Sequence, residues 1–252
     1  MNKIAVVTGA TSGFGKAIAF KLASLGYHLI LTGRRKERLL EVVSTIQASY
    51  DVQSIPLCFD VRDEKEVESA FLTIPEHWRN WSVLINNAGL AAGKESLHEG
   101  DSNDWNQMID TNIKGLLYVT RTFVRVMIEN RKGIIINIGS IAGRDAYAGG
   151  NVYSATKFAV EGLTRSMRID FLPYNIKVGQ IAPGAAETEF SLVRFKGDAE
   201  KAKSIYKGYL PLRAEDIADA VEYMVTRPDH VNISDILIMP TAQANSTTFN
   251  KD

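Results

Sequence analysis

Cysteine is nearly absent. The 252-residue sequence has one, Cys58, so no internal disulfide can form and a reducing, cytoplasmic setting is expected. Its surroundings, "SIPLCF", read as a buried strand with no reactive thiol. Charge of one sign is also missing. Lys and Arg total 29, Asp and Glu total 29, and the net charge of zero offers no footprint for nucleic acid or an anionic membrane. No stretch reaches the ~18 apolar residues of a membrane span. The run after Met1, "KIAVVTGA", is too short for a signal h-region followed by a cleavage site. Histidine is scarce: His28, His77, His98 and His230 stand away from plausible strand ends. No clustered His, Cys or carboxylate set suggests a catalytic metal. Repeats, low-complexity tracts and linkers are missing too. One domain over residues 1–252 is expected, acting on a small-molecule substrate, and 45% hydrophobic residues suffice for its core.

What is present alternates. Strand-like "KIAVVT" (3–8), "HLILTG" (28–33), "QSIPLCF" (53–59), "SVLIN" (82–86), "GIIINI" (133–138), "NIKVGQIA" (175–182) and "DILIM" (235–239) are separated by segments with helical spacing. These helices are expected over 16–26, 34–49, about 63–73, 102–130, 152–172 and 214–226; the polar tail 241–252 reads as irregular. Apolar strands with helical crossovers imply a doubly wound, seven-stranded parallel sheet with helices on both faces, a Rossmann-type α/β fold. Pro56 cannot donate to a ladder, so the third strand belongs at an edge. Ligands of such sheets bind beyond the carboxyl ends of the strands.

The first strand end reads "VVTGATSGFGKAIA". Gly9, Gly13 and Gly15 let the backbone turn tightly and approach a pyrophosphate at a helix N-terminus; Thr11, Ser12 and Phe14 belong to the same loop. The spacing G-x-x-x-G-x-G, after a Thr, resembles the short-chain dehydrogenase/reductase family. At the second strand end, "LTGRRKER" puts Gly33 where an NAD enzyme usually has an acid, followed by Arg34 and Arg35. A guanidinium grips a 2′-phosphate that a carboxylate would repel, so NADP is the expected cofactor, with Arg34 its main contact. The resemblance implies further contacts: Asp60 to the adenine amino group, Val61 to its ring, and Asn87, Ala88 and Gly89 of "NNAG" along the adenine ribose. It also implies Pro183, Gly184 and Thr188 at the nicotinamide.

Tyr153 and Lys157 in "NVYSATKFAV" share a helix face. A free tyrosine is a poor base near neutrality, and a nearby cation lowers its pKa. Tyr153 is then the general acid in reduction and the base in oxidation, with Ser140 polarising the substrate oxygen. Asn112, Ser140, Tyr153 and Lys157 match the family's catalytic set in order, and the likeness runs from Val6 to about Pro240. It implies that Lys157 holds the nicotinamide ribose, that Asn112 organises a proton-supplying water chain, and that the assembly is a homotetramer. Ser140 as an acyl nucleophile lacks a G-x-S-x-G elbow.

Residues 188–212 are expected to form a substrate lid. With "PDHVNISDILIMPTAQA", this region resembles the NADP-dependent 3-hydroxy acid dehydrogenases, which act on serine, allo-threonine or 3-hydroxyisobutyrate. Arg144 and Arg194 are the candidates for a substrate carboxylate. Two readings stay open beside this one: an NADPH-dependent reductase of another carbonyl (3-oxoacyl-carrier-protein, a sugar or a diketone), and a non-catalytic NADP-binding regulator.

Overall fold

In the computed structural model, which describes residues 3–251, seven parallel strands make one sheet in the order β3-β2-β1-β4-β5-β6-β7. Met1, Asn2 and Asp252, at the ends of the expected 1–252 domain and 241–252 tail, lie outside the described residues. The strands are β1 (Ile4–Val7), β2 (His28–Gly33), β3 (Ser54–Cys58), β4 (Val83–Asn86), β5 (Gly133–Ile138), β6 (Ile176–Pro183) and β7 (Asp235–Ile238). The chain builds outward from β1 to β3, then returns to β4 and builds the other way. That reversal opens a crevice between β1 and β4 at the carboxyl edge. β1, β4 and β5 are buried along their whole length, as continuous apolar runs covered on both faces require.

β3 takes the edge, where Pro56 pairs only with Leu31 of β2. Cys58 departs from its expected burial: it is exposed at the end of that edge strand, its Sγ 3.7 Å from the Arg34 carbonyl oxygen. Side chains alternate along a strand, and here Leu57 takes the buried face while Cys58 takes the open one.

Helices α1 (Gly13–Ser24), α2 (Lys36–Ser49) and α9 (Ala214–Val225) cover one face through Ile18, Leu22, Leu39, Ile46 and Ile217. α1 begins three residues before its expected start, because the glycine loop turns directly into it. Helices α3 (Glu64–Leu72), α5 (Leu116–Asn130) and α6 (Asn151–Asp170) cover the other face. There Phe71, Trp81 and Phe123 pack with ring centroids 5.4–5.9 Å apart, and the Trp81 indole N–H donates to the Phe123 carbonyl at 3.0 Å. The lid region holds two short helices, α7 (Glu189–Arg194) and α8 (Ala199–Ser204). The tail is irregular apart from one bridge between Gln243 and Phe249.

The expected continuous helix over 102–130 is interrupted. α4 (Ser102–Ile109) runs into a wide π turn, Asp110–Gly115, before α5. The extra residue turns Asn112 inward, where its Oδ1 accepts from the Leu90 N–H (2.9 Å) and its Nδ2 donates to the Leu90 carbonyl (2.8 Å) and Thr156 Oγ1 (3.0 Å). A second buried polar set crosses the sheet beside it. Asn86 Nδ2 donates to Thr120 Oγ1 on α5 and to Asn137 Oδ1, both at 2.8 Å, while Asn137 Nδ2 donates to Thr164 Oγ1 on α6 at 2.9 Å.

Candidate active site

A groove of about 560 Å³ follows the carboxyl edge of the sheet, from Arg34 and Arg35 at one end to Ser140, Tyr153 and Lys157 at the other. Gly9 and Gly13 adopt left-handed φ values of +65° and +51°, which turn the loop between β1 and α1 under its floor. A Cβ on Gly15 would run into the Gly9 carbonyl, so this glycine serves close packing behind the loop and does not line the groove. Asn87 Nδ2 donates to the carbonyls of Thr8 (2.8 Å) and Gly9 (3.2 Å), tying β4 to the loop. No side chain caps α1 and no acid stands in its first turn, so its N-terminal N–H groups face the groove without an internal anion. Thr11, Ser12, Phe14, Val61, Ala88, Gly89, Pro183, Gly184 and Thr188 all line the walls.

The Arg34 end differs in detail. At Gly33 a Cβ would stand 2.7 Å from Thr11 Cγ2, so any side chain there would have to push the Thr11 side chain aside. Arg34 reaches Asp60 at 3.4 Å. Asp60 is not among the residues lining the groove; Arg62 takes its carboxylate through Nε (2.9 and 3.1 Å) and Nη2 (2.7 Å). Desolvation opposes ionisation of Asp60, but the hydrogen bonds and charge of Arg62 and the charge of Arg34 hold its carboxyl below the ordinary value. Arg35 is the more engaged of the two arginines, with Nε and Nη2 on Thr11 Oγ1 (3.2 and 2.9 Å) and Nη2 on Ser12 Oγ (2.7 Å).

At the other end, Tyr153 and Lys157 lie on the buried face of α6, 8% and 7% exposed. Lys157 Nζ donates to the Ile138 carbonyl at 2.9 Å and stands 5.9 Å from the centroid of the Tyr153 ring. Ser140 follows β5, and its Oγ accepts from the Ala142 N–H at 3.1 Å. At Tyr153 burial outweighs the lowering expected from a neighbouring cation. Burial dominates and pushes the phenol up, against smaller downward effects of the Ser140 hydroxyl and Arg194. Burial likewise brings the Lys157 ammonium down to about 8. Both shifts follow from a dry site, which disfavours charge on either group. Asn112 sits behind this wall, its amide consumed by Leu90 and Thr156.

The two candidate carboxylate ligands part company. Arg144 turns away from the groove and hydrogen-bonds Asp235 at the start of β7, so it is set aside. Arg194, on α7, is 7% exposed and lines the groove. Its guanidinium donates to Gly93 O (3.1 Å), Tyr147 Oη (2.6 Å) and Gly149 O (3.3 Å), and lies 5.8 Å from the Tyr153 ring centroid. All these partners are neutral. A buried cation left so is costly, and an anion in the groove would offset that cost. Sequence reasoning missed Tyr147, which orients Arg194, and Phe190, whose ring centroid is 5.5 Å from that of Tyr153. Their places, seven residues past Ser140 and two past Thr188, are the only signal that they are near.

A family model described as short chain dehydrogenase matches residues 3–198. A sulfoacetaldehyde reductase 2 of Chromohalobacter salexigens is 45% identical over 97% of this chain and 96% of its own length. An NADP-dependent 3-hydroxy acid dehydrogenase of Salmonella typhi is 45% identical over 96% of each. Among solved structures, the closed form of a serine dehydrogenase complexed with NADP+ superposes with a TM-score of 0.92 at 43% identity, covering 99% of both chains.

Proposed function

Because the chain belongs to the short-chain dehydrogenase family, we propose that it is an NADP(H)-dependent oxidoreductase interconverting small 3-hydroxy acids and 3-oxo acids, of the serine, allo-threonine or 3-hydroxyisobutyrate type. The observation that carries this reading is the single groove joining Arg34 and Arg35 to Ser140, Tyr153 and a buried, anion-free Arg194. The chain's own shape fits the dinucleotide: an uncapped α1 N-terminus for a pyrophosphate, a side-chain-free Gly33, and guanidiniums where a 2′-phosphate would sit. Both the 3-hydroxy acid dehydrogenase and the serine dehydrogenase relatives are described with NADP.

When bound, the nicotinamide exchanges a hydride with the substrate carbon. Tyr153 handles the proton. Its raised pKa keeps the phenol protonated at rest, which suits donation to the substrate oxygen in reduction. In oxidation the phenolate must form, and the cations Lys157 and Arg194 beside the ring are what favour it. The Ser140 hydroxyl polarises the same substrate oxygen. Asn112 spends both ends of its amide on Leu90 and α6, so we read it as holding the wall of the site. Arg194 fixes the substrate carboxylate with two charge-assisted hydrogen bonds. A sulfonate presents the same acceptors, and the sulfoacetaldehyde reductase relative makes a sulfonated aldehyde the second reading.

Residues 188–212, which carry Phe190 and Arg194, are the lid, and one domain accounts for the chain. A homotetramer through α5, α6 and β7 is supported by the exposed Leu117, Phe158, Ile169 and Leu237 on those elements. An exposed, unpaired Cys58 suits the reducing cytoplasm.

The test is a panel of 3-hydroxy acids offered with NADP+ and with NAD+, read by absorbance of the reduced nicotinamide, for the wild type and Tyr153→Phe. NADP+ should be preferred, and the variant should lose ~10²–10⁴-fold in rate. Preference for NAD+ would overturn the cofactor assignment. Turnover that survives in Tyr153→Phe would remove the tyrosine from the chemistry, and a wild type inert with every acid and carbonyl would favour the regulator.

A further inference from the structure

Glu189 is the first residue of α7, at the rim of the groove. Its Oε2 accepts from Arg35 Nη1 at 2.8 Å and its Oε1 from Arg38 Nη1 at 2.7 Å. Arg35 commits its remaining nitrogens to the hydroxyls of Thr11 and Ser12. The cation and hydroxyls at the Gly33 end are thus gathered around a carboxylate of the chain itself. Its pKa is held below the ordinary value, chiefly by the Arg35 hydrogen bond, so it is anionic at neutral pH. From that anchor α7 leads to the other end of the groove: Phe190 packs on the Tyr153 ring, and Arg194 lies beside it.

The geometry points to Glu189 as a positioning and specificity-determining residue: a lid carboxylate that competes with the dinucleotide's 2′-phosphate for Arg35 while it pins α7 over Tyr153. The inference rests on the NADP reading above. Four of the five N–H donors of Arg35 already have acceptors, so an arriving phosphate that takes more than the free Nη1–H must draw the rest from Glu189, Thr11 or Ser12. It also brings a second anion to a guanidinium that holds one, and like charges placed together cost binding. A dinucleotide with a free 2′-hydroxyl brings no such charge. Glu189 therefore trims the advantage of NADP(H) over NAD(H). By reciprocity, an occupied phosphate site loosens the hold on α7, so the two ends of the groove are coupled. Glu189 touches no reacting atom; it acts through Arg35 at one end and Phe190 and Arg194 at the other.

The experiment is Glu189→Gln in the full chain, with NADPH and NADH titrated by quenching of tryptophan fluorescence and the KM for a 3-hydroxy acid measured in parallel. The expected result is NADPH binding tightened about threefold, NADH binding unchanged, and the substrate KM raised. Opposite movements at the two ends set this apart from a structural defect, which would weaken both. Glu189→Asp, which keeps the charge, should retain the wild-type ratio of NADPH to NADH affinity. NADPH binding that is unchanged or weaker in Glu189→Gln, or equal shifts for both dinucleotides, would overturn the inference while leaving the cofactor reading intact. A wild type that binds NADPH no better than NADH would overturn both.

Discussion

Replacing Arg194 by glutamine separates recognition of the substrate's acid group from chemistry at its carbonyl. The guanidinium is 7% exposed, and its protein partners are two backbone carbonyls and one phenol. Two charge-assisted hydrogen bonds to a carboxylate, each worth about 1.5–3 kcal/mol, would disappear with it. The loss in kcat/KM for a 3-hydroxy acid should therefore be ~10²–10⁴-fold. The methyl ester of the same compound carries no such anion. Its kcat/KM should fall by no more than about fivefold, the share due to a less well-supported lid. Glutamine keeps a donor for one of the Gly93 and Gly149 carbonyls, and a melting curve checks that the fold survives. Equal losses for acid and ester would show that Arg194 only braces α7, and an unaffected acid would refute the carboxylate contact outright.

Lys157→Met should abolish turnover yet stabilise the protein at pH 7. Burial lowers the Lys157 pKa from 10.5 to about 8, a cost of about 3 kcal/mol carried in full below pH 8. As pH rises from 8 past 10.5, the unfolded chain holds the proton that the folded chain has released, so the penalty fades. Less about 1 kcal/mol for the lost bond to Ile138, the variant should gain about 2 kcal/mol by denaturant titration at pH 7, and this gain should vanish by about pH 10; a less stable variant at pH 7 would contradict the burial argument. Asn112→Asp replaces the donor to Leu90 O and Thr156 with a buried carboxylate oxygen, which should cost about 3 kcal/mol at neutral pH, measured by the same titration. The deficit should shrink on acidification as the carboxyl takes up a proton; equal loss at all pH would place the fault elsewhere.

The strand ends were legible because glycine, arginine and asparagine have local reasons to stand where an apolar run stops. So was the edge position of β3, since Pro56 can pair on one side only. What was illegible depends on distant partners. Arg144 is equally plausible near Ser140 until Asp235, 91 residues away, claims it. The π turn needs one extra residue whose gain is the clasp between Asn112 and Leu90, and helical spacing alone does not register it. The titration of Tyr153 and Lys157 depends on how dry the site is, which the Tyr-x-x-x-Lys spacing leaves open. Cys58 looked buried by its neighbours, although side chains alternate along a strand and Leu57 beside it takes the buried face.

The asparagine pair at the centre of the sheet fixes more than local hydrogen bonding. Asn86 and Asn137 lie opposite each other in the β4–β5 ladder, each also gripping a threonine of an overlying helix. Aliphatic contacts tolerate a helix sliding by a fraction of a turn, but amide-to-hydroxyl contacts under 3 Å do not. α6 is thus indexed along its own axis against β5, and the tyrosine three turns before Thr164 inherits that setting. Substitutions on the outer surface of α6 can then vary widely while the phenol keeps its height above the strand ends.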